Sequence, residues 1–511
     1  MNEKNRIFIN SITIYIGVFL SMLISLLTVP ILLESLGVKD YGLYNLLAGV
    51  IAMLSFIKNS LIVTVQRYMN VAFGSNNLSK VNKIYSISTL LYYIIGTFIV
   101  IIVLVSSNLI SYGLFNIESD RVSIAYLLFK VLAVSTFITT ISIPCDALFN
   151  VYEEMWLFSV FTIIESILRL LLAISLIYIL NYDKLFVYGI GMCFISILVF
   201  VIKFCCVKKR YKEIRFVKVG RNDILIIKEL FGFIGWNIYS TFARIFSTQG
   251  LAVVLNSSLG TAVNAAYGVA NQINGCLNQF TSSVEKAFNP QIMKSEGMNN
   301  RSDVINMSLL STKYCLLVYS FFAIPLLSSI SFILEIWLKN IPEYTIVFVK
   351  LIITSTMISL LTVGVSSIFY AIGRIKYYLF SYGSLQILMV FVAYLFVRYN
   401  FDIELVVSLL IVVELLLMRL RLYYAWKLVG LKFNVYFKTV LCPCLKVIIP
   451  TALVVLFIPC NGIISFIVLC LISFFINMIF LCCYGLNNDE RVQLYNFVSL
   501  MLKKLWIYVK F

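Results

Sequence analysis

Among the charged side chains that interrupt long apolar runs in this 511-residue sequence, Lys58, Lys130, Arg169, Arg244 and Lys350 are positive, Glu165 and Glu414 negative. Charge in such a run is costly, about 2.5–3.5 kcal/mol for a central Arg even on the lenient insertion scale. Lys350 stands near the end of its run and can reach water along its own stem. Glu165 and Arg169 are four residues apart, the spacing at which helical neighbours pair, so self-neutralisation is the simpler reading and a coupling role the other. Lys58, Lys130 and Glu414 are open to either. Arg244 has no acid within a turn, and Asn237, Ser240, Thr241, Ser247 and Thr248 recur around it every three or four residues on one helical face. The chemistry open to it is anion binding, because a guanidinium makes paired hydrogen bonds to carboxylate or phosphate oxygens. The rival is structural pairing with Glu165 or Glu414 from another helix.

A second polar face lies at Asn271, Asn274, Asn278, Ser282 and Glu285, and a milder one at Asn10, Thr13, Gly17, Ser21, Ser25 and Thr28. Interhelical hydrogen bonding in a packed bundle explains such stripes; so does a water-filled cleft, the reading favoured for the Asn-rich face. Summed over the runs the interior is cationic, which suits a phosphate-bearing substrate. The chain has no histidine. General acid–base catalysis uses His most often, and Ser or Cys nucleophiles usually need one, so an enzyme is not expected. The 12 cysteines show no zinc spacing and fall mainly within apolar runs, so neither metal nor disulfide is expected, and no cofactor either.

These residues sit in elements that only a lipid solvent can accommodate. The sequence is 61% hydrophobic and 12% charged, with mean hydropathy +0.98, against roughly 45–50% and 25% for soluble proteins. Fourteen spans are predicted, near 7–29, 42–65, 84–105, 122–145, 156–179, 184–207, 230–254, 260–284, 310–334, 345–369, 377–397, 403–425, 440–459 and 463–484. The first is too long for a signal peptide and lacks a small-residue cleavage site. Lys203, Lys208, Lys209, Arg210, Lys212, Arg215 and Lys218, with Lys286, Lys294, Lys313, Arg419, Arg421 and Lys427, read as loop residues of one side; the other side holds only Lys39, Arg121, Lys184, Lys339 and Arg398. The net charge of +17 therefore signals orientation, with both termini cytoplasmic, and no nucleic acid partner. One inside segment dissents: 146–155 carries Asp146, Glu153 and Glu154. The long basic segment 203–229 reads as a solvated linker, with recruitment of an acidic lipid or partner as the alternative.

The halves of the chain repeat. Ser35-Leu36-Gly37 returns as Ser258-Leu259-Gly260, and Gly74-x-Asn76-Asn77 as Gly297-x-Asn299-Asn300, both 223 residues on. Tyr41-Gly42-x-x-Asn45 returns as Tyr267-Gly268-x-x-Asn271, which needs a three-residue insertion. An even number of spans between equivalents makes this a parallel repeat, a transporter architecture. The expected organisation is an all-α polytopic membrane protein. It has an N-lobe with the basic linker over 1–220, a C-lobe over 221–430, two extra helices over 431–486, and an amphipathic interfacial tail over 487–511.

Gln66-Arg67-Tyr68-Met69-Asn70 leading into Gly74-x-Asn76-Asn77, together with Asn264-Ala265-Ala266-Tyr267-Gly268-Val269-Ala270 and Ala287-Phe288-Asn289-Pro290-Gln291-Ile292, resembles the O-antigen and capsule flippases. These belong to the multidrug/oligosaccharidyl-lipid/polysaccharide exporter superfamily, and the variant is similar to that of Bacteroides-type bacteria. The resemblance implies two six-helix lobes around a cleft lined by helices one, two, seven and eight. It also implies export of an undecaprenyl-pyrophosphate-linked oligosaccharide, a lipid-linked anionic glycolipid, across the bacterial inner membrane by alternating access. Polysaccharide polymerase and glycosyltransferases are the implied partners besides the bilayer. On this reading Arg244, Lys58, Asn237, Asn271, Asn274 and Asn278 line the cleft, and Glu165, Arg169, Lys130 and Glu414 are coupling or structural charges. Span one has no charge between Arg6 and Glu34, so pyrophosphate contacts of the related peptidoglycan-precursor flippases do not carry over. A multidrug exporter of the same superfamily is the alternative, though such exporters typically use a carboxylate in helix one. A membrane polymerase or glycosyltransferase is a weaker one, because its long acid- or arginine-bearing external loop is absent.

Overall fold

A computed structural model describes residues 3–53, 55–111, 121–179, 182–220, 223–259, 261–338, 341–458, 462–487 and 490–491. Among them there is no strand; apolar runs in lipid must satisfy every backbone group internally, which leaves the helix as the solution for each. The expected tail helix of 487–511 falls almost wholly outside the described residues.

Two compact units divide the chain at Ile238/Tyr239, inside a helix. The N-terminal unit holds Ile9–Ile238 with Gly297–Asn299. It contains most of α1 (Glu3–Met53), then α2 (Ser55–Gly74), α3 (Leu78–Ser111), α4 (Val122–Ile141), α5 (Ile143–Val151), α6 (Met155–Ser175) and α7 (Lys184–Arg210). Helix α1 changes course at Gly37, whose φ of 77° suits a residue without a Cβ. Close approach needs another small residue, since a Cβ on Gly17 would stand 2.7 Å from that of Ser159.

α8 (Ile224–Leu259) straddles the division. The C-terminal unit continues with α9 (Thr261–Gly297), α10 (Arg301–Ser328), α11 (Ile330–Trp337), α12 (Thr345–Leu360), α13 (Val363–Ile372), α14 (Lys376–Arg398) and α15 (Ile403–Val429). It ends with α16 (Phe433–Tyr436), α17 (Cys442–Leu456) and α18 (Ile463–Phe480). Nine of the described helical stretches are long and apolar enough to cross a membrane, ten with the bent pair α12–α13 taken as one span. Four predicted spans are helical yet more polar: α8 and α9 carry the stripes, α15 carries Glu404, Glu414, Arg419 and Arg421, and Lys58 interrupts the second.

Repeated local geometry accompanies the repeated sequence. Asn76 and Asn299, 223 residues apart, both take left-handed φ, at 54° and 59°. The next residue caps the following helix in each case: Asn77 Oδ1 accepts from Lys80 N, and Asn300 Oδ1 from Asp303 N. Each half also breaks its fourth span, at Ser142 between α4 and α5 and at Leu361–Thr362 between α12 and α13, the latter with a 44° bend. Within each unit an Asn of the second helix then bonds the short helix beyond that break, Asn70 to Asn150 and Asn289 to Ser367, both at 2.9 Å.

Candidate functional site

The C-terminal unit gathers charge from three helices, α8, α9 and α15. Arg244 on α8 is exposed and, among the described residues, forms no ion pair. Its charge acts on Glu285 of α9 and on the hydroxyls of Tyr370 (α13) and Tyr382 (α14). Glu285 is the acid that sequence reasoning placed on the Asn-rich face without connecting it to Arg244. Lys286 and Arg421 reach the same carboxylate, so positive charge is in excess around it.

Arg421 was expected in a cytoplasmic loop; α15 runs on to Val429 and buries it at 5% exposure. Its guanidinium donates to Tyr378 Oη at 3.2 Å, Thr362 Oγ1 at 3.0 Å and Ser359 O at 3.3 Å, and stands 3.7 Å from Glu414. Glu414 is thus engaged by Arg421, and Glu165 by Arg169 on its own helix. The second pairing is the one the i, i+4 spacing predicts. Both acids proposed as structural partners of Arg244 have cations of their own.

The polar stripes divide into packed and uncovered parts. Asn237 is 3% exposed and donates to Phe233 O at 2.9 Å. Asn271 donates to Tyr267 O at 2.9 Å, and Asn274 accepts from the buried Tyr319 hydroxyl at 2.7 Å. Asn278 is half-buried. Among the described residues, those that α9 leaves exposed lie beside these: Gly268, Gln272, Gly275, Cys276, Gln279 and Lys286. None is a large hydrophobe, so lipid tails are a poor solvent for that strip and water suits it.

The N-terminal unit holds its own ionic cluster. Lys58 on α2 is half-buried and lies in electrostatic reach of Asp146, Lys203 and Glu165. Lys203, expected in the basic loop, is inside α7 and donates to Asp146 at 2.7 Å. That bond also accounts for the dissenting acidic segment: Asp146 faces Lys203, while Glu154 takes a forked contact from Arg210 and a hydrogen bond from Tyr211. Lys130 lies 4.0 Å above the ring of Tyr126, a cation–π contact on its own helix.

The basic linker is docked rather than free. Asn82 of α3 donates to Glu213 O and accepts from Arg215 N, Ser86 accepts from Val217 N, and Lys83 pairs with Asp223 at 2.9 Å. The Gly220 N–H and Lys83 hold the Asp223 carboxyl below the usual range. Lys212, Arg215 and Lys218 stay exposed on this strap, as do Lys208 and Lys209 in the last turn of α7.

No protein-family model matches the chain, and no curated protein matches it by sequence. Solved structures do match. A MOP-superfamily transporter from Pyrococcus furiosus, described as having a binding pocket of reverse polarity, superposes with TM-score 0.69 at 15% identity, covering 84% of this chain and 96% of that one. An outward-facing multidrug resistance MATE transporter gives 0.69 at 16% identity over 84% and 96%. A MATE protein in the bent conformation gives 0.67 at 17% over 84% and 98%. The charge clusters described above are therefore carried on the all-α fold of the MOP-superfamily transporters.

Proposed function

We propose that the protein exports a lipid-linked anionic oligosaccharide, of the undecaprenyl-pyrophosphate-linked kind used for O-antigen, capsule or related surface polysaccharides, by alternating access across the bacterial inner membrane. The observation that carries this reading is Arg244: a permanent cation without an ion pair among the described residues, on the helix next to the uncovered polar strip of α9. A phosphate group would supply the anion that the position lacks, and a guanidinium matches its oxygens. Lys58, Asn271 and Asn278 are the further substrate-contacting candidates. Polysaccharide polymerase and glycosyltransferases are the partners this pathway would require, and both termini face the cytoplasm.

The fold neighbours favour a second reading, since one of them is a multidrug resistance exporter. Two features weigh against it here, the absence of any acid in span one between Arg6 and Glu34 and the excess of cations around Glu285. Arg244→Ala should abolish export with normal membrane abundance, while Arg244→Lys retains part of it. Surface polysaccharide and protein level are measured together. An Arg244→Ala protein that accumulates normally and supports full polysaccharide export sinks the proposal.

A further inference from the structure

The basic end of α15 and the short helix after it enclose a groove of about 490 Å³ lined by Arg419, Tyr423, Trp426, Lys432, Phe433 and Asn434. Its back wall is apolar and rigid: Leu431 is 4% exposed and Tyr436 fully buried, with the Tyr436 hydroxyl held to Leu361 O at 2.8 Å. The mouth is aromatic and cationic. Tyr423, Trp426 and Phe433 are 49%, 60% and 57% exposed, and Arg419, Lys432 and Asn434 are exposed as well. Neither cation has an ion pair among the described residues. Exposed aromatics beside Lys and Arg at the end of an apolar helix mark the level of lipid headgroups. One turn back along α15, Val412, Leu415 and Leu416 are exposed at 49%, 48% and 46%. By helical spacing they continue the face of Arg419 and Tyr423 toward the hydrocarbon.

We propose that this groove holds the phosphate headgroup of an anionic membrane phospholipid, with Arg419 and Lys432 on the phosphate oxygens and the acyl chains running down the Val412–Leu416 face. The occupant is assigned to the lipid because the cations and the apolar track belong to one continuous surface. A soluble phosphate would use only the upper part of it. Neither Arg244 nor Glu285 lines the groove, and the assignment does not depend on what the protein transports.

Trp426 supplies the test. Full-length protein is reconstituted in bilayers in which a fixed fraction of lipid is brominated phosphatidylglycerol or, separately, brominated phosphatidylcholine. The Trp426 signal is taken as the difference from Trp426→Phe. Brominated phosphatidylglycerol should quench it more strongly, and Arg419→Gln with Lys432→Gln should weaken that preference by about thirtyfold, the effect of two surface cations. Both side chains are exposed, so the double variant should match the parent in thermal midpoint. Equal quenching by the two lipids, or an undiminished preference in the double variant, overturns the proposal. Release of the phosphatidylglycerol quench by inorganic pyrophosphate also overturns it, and assigns the groove to a soluble phosphate.

Discussion

Glu490 should be worth more to this protein than its place near the C-terminus suggests. Lys313, expected in a loop, is 1% exposed on α10, and both oxygens of Glu490 accept from its Nζ, at 2.8 and 2.6 Å. Asn487 N caps the same carboxylate at 2.8 Å, and the Lys313 carbonyl receives the Cys444 thiol of α17. Glu490→Ala leaves an ammonium buried without its counter-charge. Breaking a buried pair by removing one partner costs about 3–5 kcal/mol, a large share of the roughly 5–15 kcal/mol that holds a domain folded. Replacing both by apolar groups, Lys313→Met with Glu490→Leu, is often neutral or stabilising by about 1–4 kcal/mol. The assay is thermal loss of the monodisperse peak in detergent at one heating rate, since unfolding of such a protein is read as a relative, rate-dependent midpoint. Each single variant should lose several degrees, and the double variant should regain most of them. Single and double variants with additive losses, or a Glu490→Ala protein as stable as the parent, would refute the reasoning, because either result means that the pair carries no coupling energy.

Three further outcomes are expected. In a background cleared of the other cysteines, native Cys276 should react readily with a membrane-impermeant thiol reagent, and Gln279→Cys likewise, whereas Asn274→Cys should react slowly because that position packs on Tyr319; equal rates at all three would count against an uncovered strip. Gly364→Ala should destabilise the C-terminal unit by about 1–3 kcal/mol, because the new Cβ would stand 2.2 Å from Ser308 O of α10; an unchanged thermal midpoint contradicts the packing. The clamp at Asp223 has a depressed carboxyl pKa, so its contribution is complete above the unfolded value of about 3.9 and is lost as pH falls through the lower folded value. The protection of the Arg215 and Val217 amides, as exchange relative to the intrinsic rate at each pH, should accordingly stay flat from neutrality down to pH ~4 and fall below it, while Asp223→Asn lowers it at neutral pH; a fall near neutrality in the parent would mean that another group holds the strap.

Much of this protein is decided by local chemistry and is therefore legible in the chain. Composition alone demands lipid as solvent, and the demand that backbone groups be satisfied there makes every long apolar run a helix. The turns at Asn76 and Asn299 follow from residue type, because Asn tolerates left-handed φ and its successor's side chain caps the next helix. Glu165 and Arg169 pair because four residues of helix bring them together. Lys203, Lys313 and Arg421 were assigned to loops because a charge toward the end of an apolar run was credited to the adjoining segment, although the predicted spans 184–207, 310–334 and 403–425 already covered them; each lies inside a helix. Their partners Asp146, Glu490 and Thr362 stand 57, 177 and 59 residues away. Nothing in the periodicity of one helix names the residue that another helix will present to it. Likewise the repeat of polar residues on α9 identifies a polar sector, but which of Asn274 and Cys276 is packed depends on where Tyr319 of α10 lands. A buried charge or amide is satisfied by whatever lies within about 3 Å of it, and that distance is set by the angles and offsets at which whole helices pack.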